Sequence, residues 1–262
     1  MNTQEISLLK QIINDAGKIL LNGYKKDLEF QVKADKSLVS DIDRASSTFI
    51  YSSLKKHFPN YSLIDEERKN SWVELTNEYC WIVDPLDATR EYLEGKDTFS
   101  ILIGLLKNKK PLFGISYRPA IDEITFALKD KGAYIENANG IKKLESNCSS
   151  DLSVLISSTA NYDTLEPIIK KISPTKIIKM GGSTKIIEVA KGTANLFICP
   201  KNRGMHIWDI CAPQIILEES GGKLTNIEGN NIHYQGEDFS NLDGILATNK
   251  KVHSLVSAKL SE

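Results

Sequence analysis

The amino-acid sequence predicts a layered α/β protein whose first half is α+β, with two sheets and helix layers around them. Three patterns carry that expectation. Two amphipathic helices open the chain, closely spaced strands follow over residues 61–136, and from about residue 150 strands and helices alternate. With 262 residues the chain is long enough for one large domain or two intimately packed ones, and for a sizeable buried core.

Ile6, Leu9, Ile12, Ile13, Ala16, Ile19 and Leu20 recur at helical spacing, which predicts a helix over 4–25. A short strand over 29–33 and a polar loop come next. Residues 41–57 repeat the helical pattern, with Ile42, Ala45, Phe49, Ile50 and Leu54 on the apolar face, and the helix stops before Pro59. Strands are expected over 61–64, 79–83, 98–106, 112–117, 123–128 and 132–136. Short Gly, Pro and Asn-Gly signals between several of them indicate a mostly antiparallel sheet, covered by the first two helices. The polar, turn-rich stretch around 137–150 suggests a boundary, giving an α+β domain over 1–140 and an α/β domain over 141–262. In the second part strands are expected at 153–157, 176–179, 194–199 and 244–248, with helices at 162–172, 183–191, about 208–220 and 250–259.

Composition narrows the function classes. Hydrophobic residues are 41% and charged residues 26%, and the net charge of −1 gives no overall drive toward nucleic acid or acidic membranes. No basic face stands out that a nucleic-acid module would need. Cys80, Cys148, Cys199 and Cys211 form no CxxC pair, which suits a reducing cytosol. His57, His206, His233 and His253 show no HxxxH spacing, which speaks against zinc. The N-terminal stretch has early acids and no long apolar run, so neither a signal peptide nor a membrane anchor is expected there.

The chemistry is suggested by carboxylates at the ends of apolar elements. They lie in LVSDID (Asp41, Asp43), SLIDEER (Asp65, Glu66, Glu67), WIVDPLD (Asp84, Asp87) and HIWDICA (Asp209). Each alone has an ordinary explanation: a first helical turn for Asp43, a solvated loop for Glu66 and Glu67, a turn for Asp84-Pro85. If these ends converge, the acids repel one another until a hard cation intervenes, and oxygen donors without histidine or cysteine point to magnesium. Ala88-Thr89 precedes a short helix through Glu94, whose N-terminus would favour an anion, with Thr89 either capping that helix or orienting a water. Trp81 and Trp208 read as packing residues beside the acids, and Cys80 and Cys211 as small buried ones. Pro213 is expected in the first turn of its helix, which would place Asp209 at that helix's N-terminus. Glu218 and Glu219 near the other end oppose the helix dipole without an evident reason.

In order, DEE (65–67), WIVDPLDAT (81–89) and IWDICAPQIILEESGG (207–222) resemble the lithium-sensitive, magnesium-dependent phosphatases of the inositol monophosphatase superfamily. The resemblance runs from Lys33 to Gly222. It implies an α-β-α-β-α sandwich of the sugar-phosphatase type, with two or three Mg2+ ions held by Glu67, Asp84, Asp87, Asp209 and the main-chain carbonyl of Leu86. It also implies a phosphate cradle over Leu86, Asp87, Ala88 and Thr89, bordered by Glu67 and Asp209. Asp43 and Thr89 resemble the pair that activates the attacking water together with Glu67, so that hydrolysis proceeds without a covalent intermediate.

Within the superfamily, Leu86, REYLEGKDTFSILIGLL (90–106) and GGSTK (181–185) are most similar to bacterial 3′(2′),5′-bisphosphate nucleotidases. Lys185 would then meet the nucleotide's second phosphate; its alternative is a solvated lysine at a helix start. The chain departs from the family at Ala88, where glycine is usual, at Gly182, where serine is usual, and in FICPKNRG (197–204), where Lys201 or Arg203 stands in for an arginine. The resulting expectation is a phosphomonoesterase acting on 3′-phosphoadenosine 5′-phosphate. Alternatives are an inositol or other sugar-phosphate phosphatase, or an inactive binding homologue. The partner is a small phosphate ester and not a nucleic-acid polymer. The protein would be a cytoplasmic monomer or homodimer without a transmembrane segment, a peripheral place at the inner membrane being left open.

Overall fold

A computed structural model of the chain describes residues 1–26, 30–32, 38–69, 77–147, 151–160, 162–182, 184–202, 205–234, 240–241 and 243–261. The first half contains α1 (Thr3–Gly23), β1 (Phe30–Val32), β2 (Leu38–Ser40), α2 (Asp41–His57), β3 (Ser62–Asp65), β4 (Tyr79–Asp87), α3 (Thr89–Leu93), β5 (Ser100–Lys107), β6 (Lys110–Arg118), β7 (Glu123–Leu128), β8 (Gly132–Asn137) and β9 (Gly140–Lys143). The second half contains β10 (Ser153–Ser157), α4 (Tyr162–Ile172), β11 (Lys176–Met180), α5 (Lys185–Ala190), β12 (Leu196–Cys199), β13 (Met205–His206), α6 (Ile207–Glu219), β14 (Gly222–Thr225), β15 (Ser240–Asn241), β16 (Ile245–Asn249) and α7 (Lys250–Ser261).

Strands β3 to β9 form a seven-stranded sheet in sequence order, antiparallel except for the parallel β3–β4 pair. The second sheet runs β11-β10-β12-β16-β14; β10 pairs in parallel with β11 and β12, and β16 runs antiparallel to β12 and β14. The alternation of side chains along a strand explains how these sheets are covered. On β4, Trp81 and Val83 join Leu9, Ile13, Ile50 and Leu54 of α1 and α2, whereas Cys80 and Ile82 join Ile210, Cys211 and Ile215 of α6. Phe197 and Ala247 of the second sheet reach the same inner cluster, and its other face packs on α4 and α7 through Val154, Leu165 and Val256. The order is therefore α1/α2, sheet, α5/α6, sheet, α4/α7, a five-layer α/β fold.

Several elements differ from the sequence expectation. Strand β4 does not end at Val83 but continues through Pro85 to Asp87. β9 and β14 were not anticipated, because GIKK is exposed throughout and GKLT is too short to show alternation. Pro213 is the seventh residue of α6 rather than part of its first turn. A proline there removes the helical donor to the carbonyl four residues earlier, that of Asp209, and the helix tolerates it because both sheets pack around it. Asp209 nevertheless lies in the first turn, so the expected position of that acid holds for a different reason. Glu219 has an evident structural role, since its carboxylate accepts the main-chain N–H groups of Asp130 at 3.0 Å and Gly132 at 2.8 Å, closing the β7–β8 turn. No helix among the described residues is long and apolar enough to cross a membrane.

Candidate active site

Asp84 and Asp87 are an odd number of residues apart, so a regular strand would send their side chains to opposite faces. The ladder prevents this. Asp84 pairs with Leu102 and Asp87 with Ser100, so β4 advances three residues while β5 advances two. The extra residue is a β-bulge, and it restores the parity that puts both acids on the α6 side. Leu86 points the other way, into the α1/α2 cluster. The buried polar groups of the bulge find partners: Leu86 N–H donates to Asp84 Oδ1 at 3.1 Å, and the Ser46 hydroxyl donates to the Pro85 carbonyl at 3.0 Å. Ser100 donates to Asp87 Oδ2 at 3.2 Å.

Asp209 reaches the same place from the first turn of α6, where its Oδ2 accepts the His206 N–H at 2.6 Å. Carboxylate oxygens of Asp84, Asp87 and Asp209 lie within 4.8 Å of one another. Burial, followed by the charges of Glu66, Asp87, Asp209 and Glu67 in that order, pushes the Asp84 carboxyl well above the usual carboxylate range. Such a set of oxygen donors is the chemistry a hard divalent cation relieves, so the residues fit magnesium. Glu66 acts on Asp84 more strongly than Glu67, although the sequence pattern singled out Glu67. Strand alternation could not have separated them, because both follow β3 in a tight turn: Asp65 is fully buried, and its Oδ1 accepts the Glu67 N–H at 2.9 Å. Burial outweighs that bond and the Ser47 hydroxyl, and pushes Asp65 up to about 6.

Asp43 is buried at the start of α2, where it caps the helix by accepting the Ser40 N–H at 2.7 Å and the Ser40 hydroxyl. Its other oxygen lies 3.3 Å from Thr89 Oγ1, which is also 3.1 Å from the Leu86 carbonyl. Thr89 is thus not the cap of α3. That position falls to Ala88, which makes no side-chain cap bond and takes a left-handed conformation, φ 66° and ψ 46°.

Beyond the acids a cavity of about 230 Å3 opens at the C-terminal ends of β10 and β12. Its lining includes Asp87, Asp209, Lys185, Ser157 and Thr159 together with Leu165, Ile198 and Met205. Lys185 is not the solvated lysine of the alternative reading; only 6% of it is exposed. Burial pushes its ammonium below the usual lysine value, against the opposing pull of Asp87, Cys199, Glu91 and Asp209. Its Nζ donates to the Gly182 carbonyl. Lys201 is exposed and paired with Glu228, while Arg203, the other candidate for the arginine position, and Lys33 lie outside the described residues.

The chain resembles known proteins in sequence and in fold. The profile of the inositol monophosphatase family matches residues 1–262. The 3′(2′),5′-bisphosphate nucleotidase CysQ of Buchnera aphidicola is 31% identical over 228 residues, 86% of this chain and 85% of its own length. Inositol monophosphatase 3 of Solanum lycopersicum is 29% identical over 241 residues, 86% of this chain and 87% of its own. Among solved structures, the IMPase of Thermotoga maritima shares the fold, with a TM-score of 0.82 at 22% identity, covering 100% of this chain and 97% of that one.

Proposed function

The chain belongs to the inositol monophosphatase family, and from that premise we propose that it is a 3′(2′),5′-bisphosphate nucleotidase of the cytoplasm. Magnesium-dependent hydrolysis of a phosphate monoester follows from the family and its relatives. The finer reading takes 3′-phosphoadenosine 5′-phosphate to AMP and phosphate.

The observation that carries it is the cavity beside the acids. Beside the hydroxyls of Ser157 and Thr159 the lining carries Leu165, Ile198 and Met205, against which a polyol's hydroxyl groups lose water. A purine base covers such a wall at little cost. The one buried lysine on the lining supplies a positioned cation for a second phosphate, as charge-assisted hydrogen bonding requires.

In this reading Asp84, Asp87, Asp209 and the Leu86 carbonyl hold magnesium, with Glu66 or Glu67 completing the set. Bound magnesium supplies charge neutralisation on the ester phosphate and lowers the pKa of the attacking water. The left-handed turn at Ala88 followed by helical Thr89 is the backbone pattern that gathers N–H groups around an anion, and the ester phosphate sits there. Thr89 and Asp43 orient the water: the hydroxyl takes up its proton while passing its own to Asp43, 3.3 Å away. Attack is direct, without a phosphorylated side chain.

The deciding measurement is phosphate release from 3′-phosphoadenosine 5′-phosphate, inositol 1-phosphate and simple sugar phosphates, with and without magnesium and with lithium added. The expected result is a magnesium-dependent, lithium-suppressed reaction with the highest kcat/KM on the nucleotide. A higher kcat/KM on inositol 1-phosphate overturns the nucleotidase reading. Absence of turnover together with absence of calorimetric magnesium binding in phosphate buffer would identify an inactive homologue.

A further inference from the structure

The turn after β11 packs against the acid-bearing loop with no spare room. Gly182 is left-handed, φ 70°, and a methyl group built on it would lie 3.0 Å from Asp87 Oδ2, 3.1 Å from the Ala88 Cβ and 3.2 Å from the Thr98 carbonyl oxygen. A methyl on Gly181 would collide with the carboxylate of Glu91, itself only 9% exposed on α3. Two carbons prefer about 3.5–4.0 Å, so the Ala88 methyl already occupies the space that a side chain at 182 would need. Gly182 also presents its carbonyl to the Lys185 ammonium. The same residue therefore touches the loop of the acids on one side and holds the lysine on the other.

We propose that Ala88 and Gly182 are one steric pair that sets the separation between the acid-bearing loop and Lys185, making Gly182 a positioning residue for the part of the substrate beyond the ester phosphate. The positioning half rests on the reading of the cavity given above. A side chain at 182 must be relieved by moving the turn away from Ala88, because the strand behind Asp87 is locked by the β5 ladder. The turn takes its carbonyl, and with it the lysine, along. Removing the methyl at 88 relieves one of the three close contacts, while those to Asp87 Oδ2 and the Thr98 carbonyl remain. The two positions, far apart in sequence and each unusual when considered singly, are then a single exchange of one methyl group across a seam.

Backbone strain can be separated from the contact. Alanine at a left-handed position carries a backbone cost of its own. That cost is the same whether residue 88 is alanine or glycine, so it cancels in a double-mutant cycle and the contact remains. The cycle comprises the native protein, Ala88→Gly, Gly182→Ala and the double variant. Thermal midpoints are measured without metal or substrate; KM and kcat are measured for phosphate release from 3′-phosphoadenosine 5′-phosphate. Gly182→Ala is expected to lower the midpoint and raise KM about tenfold, with a smaller change in kcat. The double variant should recover the part of both losses that the Ala88 contact causes, leaving the part due to Asp87 and Thr98. In a Lys185→Met background, Gly182→Ala should leave KM where Lys185→Met alone puts it. Additive midpoints overturn the pair whatever the substrate is, and an unchanged KM in Gly182→Ala overturns the positioning role. If the native protein releases no phosphate from the nucleotide, the substrate reading falls, while the midpoints still decide the pair.

Discussion

Ser46, fully buried on α2, donates its hydroxyl to the main-chain carbonyl of Pro85 at 3.0 Å and so supports the bulge of β4 from the helix side. Without it that carbonyl would be buried with no donor, because the bulge has withdrawn it from the ladder. Ser46→Ala should destabilise the protein by about 1–3 kcal/mol. It should also lower kcat, since the bulge gives Asp84 and Asp87 their common direction. Denaturant unfolding and steady-state kinetics check both; a variant less stable but fully active would separate the support of the strand from the aim of the acids.

Asp84 illustrates the cost of gathering acids. Its carboxyl is buried among the charges of Glu66, Asp87, Asp209 and Glu67. Asp84→Asn removes a repelling charge while keeping a similar shape. In metal-free buffer this variant should melt a few degrees above the native protein, whereas added magnesium should stabilise it less and phosphate release should be lost. Equal magnesium-induced shifts in the two proteins would show that Asp84 takes no part in holding the ion.

Two groups give the metal-free protein opposing pH slopes. The Asp65 carboxyl is raised to about 6 in the folded state, above its unfolded value of about 3.9, so its contribution to stability is greatest at low pH and is lost as pH rises through about 6. His253 behaves the other way. Burial and Lys223 lower its pKa from 6.5, so folding favours the neutral ring and stability falls as pH drops below 6.5. Thermal midpoints of the native protein should therefore flatten or turn over in mildly acidic buffer, and His253→Gln should remove the downward branch. Identical acid branches in the two proteins would dismiss His253 as its source.

The two halves are also joined by charge. Lys191, the C-cap of α5, lies 2.9 Å from both Glu188 and Glu123, and Arg118 lies 3.5 Å from Glu188 and 3.8 Å from Glu123, all of them largely buried. Removing one member leaves partners uncompensated, so Glu188→Gln should cost roughly 3 kcal/mol. The Glu188→Gln/Lys191→Met pair should lose less than the sum of its single variants. Because α5 begins at Lys185, KM should rise more than kcat falls. Unfolding curves and kinetics of the three variants provide the measurement.

Much of the site was legible in the linear sequence, and the misses have physical causes. Asp84, Asp87 and Asp209 stand at the ends of strongly apolar runs, which is why their convergence could be anticipated. The bulge could not, because a spacing of three reads as opposite faces until the partner strand is known. Glu66 and Glu67 are adjacent acids in a turn, and only the fold of the turn tells which one faces Asp84. Lys185 left two readings open, a phosphate contact and a solvated lysine, because nothing local to a lysine reveals that a second sheet will cover it. Pro213 obeyed the first-turn rule in the sequence and broke it in the fold, since packing on two sides of α6 overrides the local penalty. The short strands β9 and β14 were invisible for the plainest reason: four residues cannot display a period.

Helix α6 is apolar on nearly every side and is pressed between the two sheets, with residues of both contacting it. Neither sheet can therefore complete its inner face before the other arrives, and the helix has no solvent-facing side on which to wait. Asp209 rides on the tip of that helix. The acid cluster thus depends on long-range closure, joining strand β4 to a helix more than a hundred residues further along the chain. Asp209 therefore keeps its place beside Asp84 and Asp87 only while α6 stays seated on the strands that carry them.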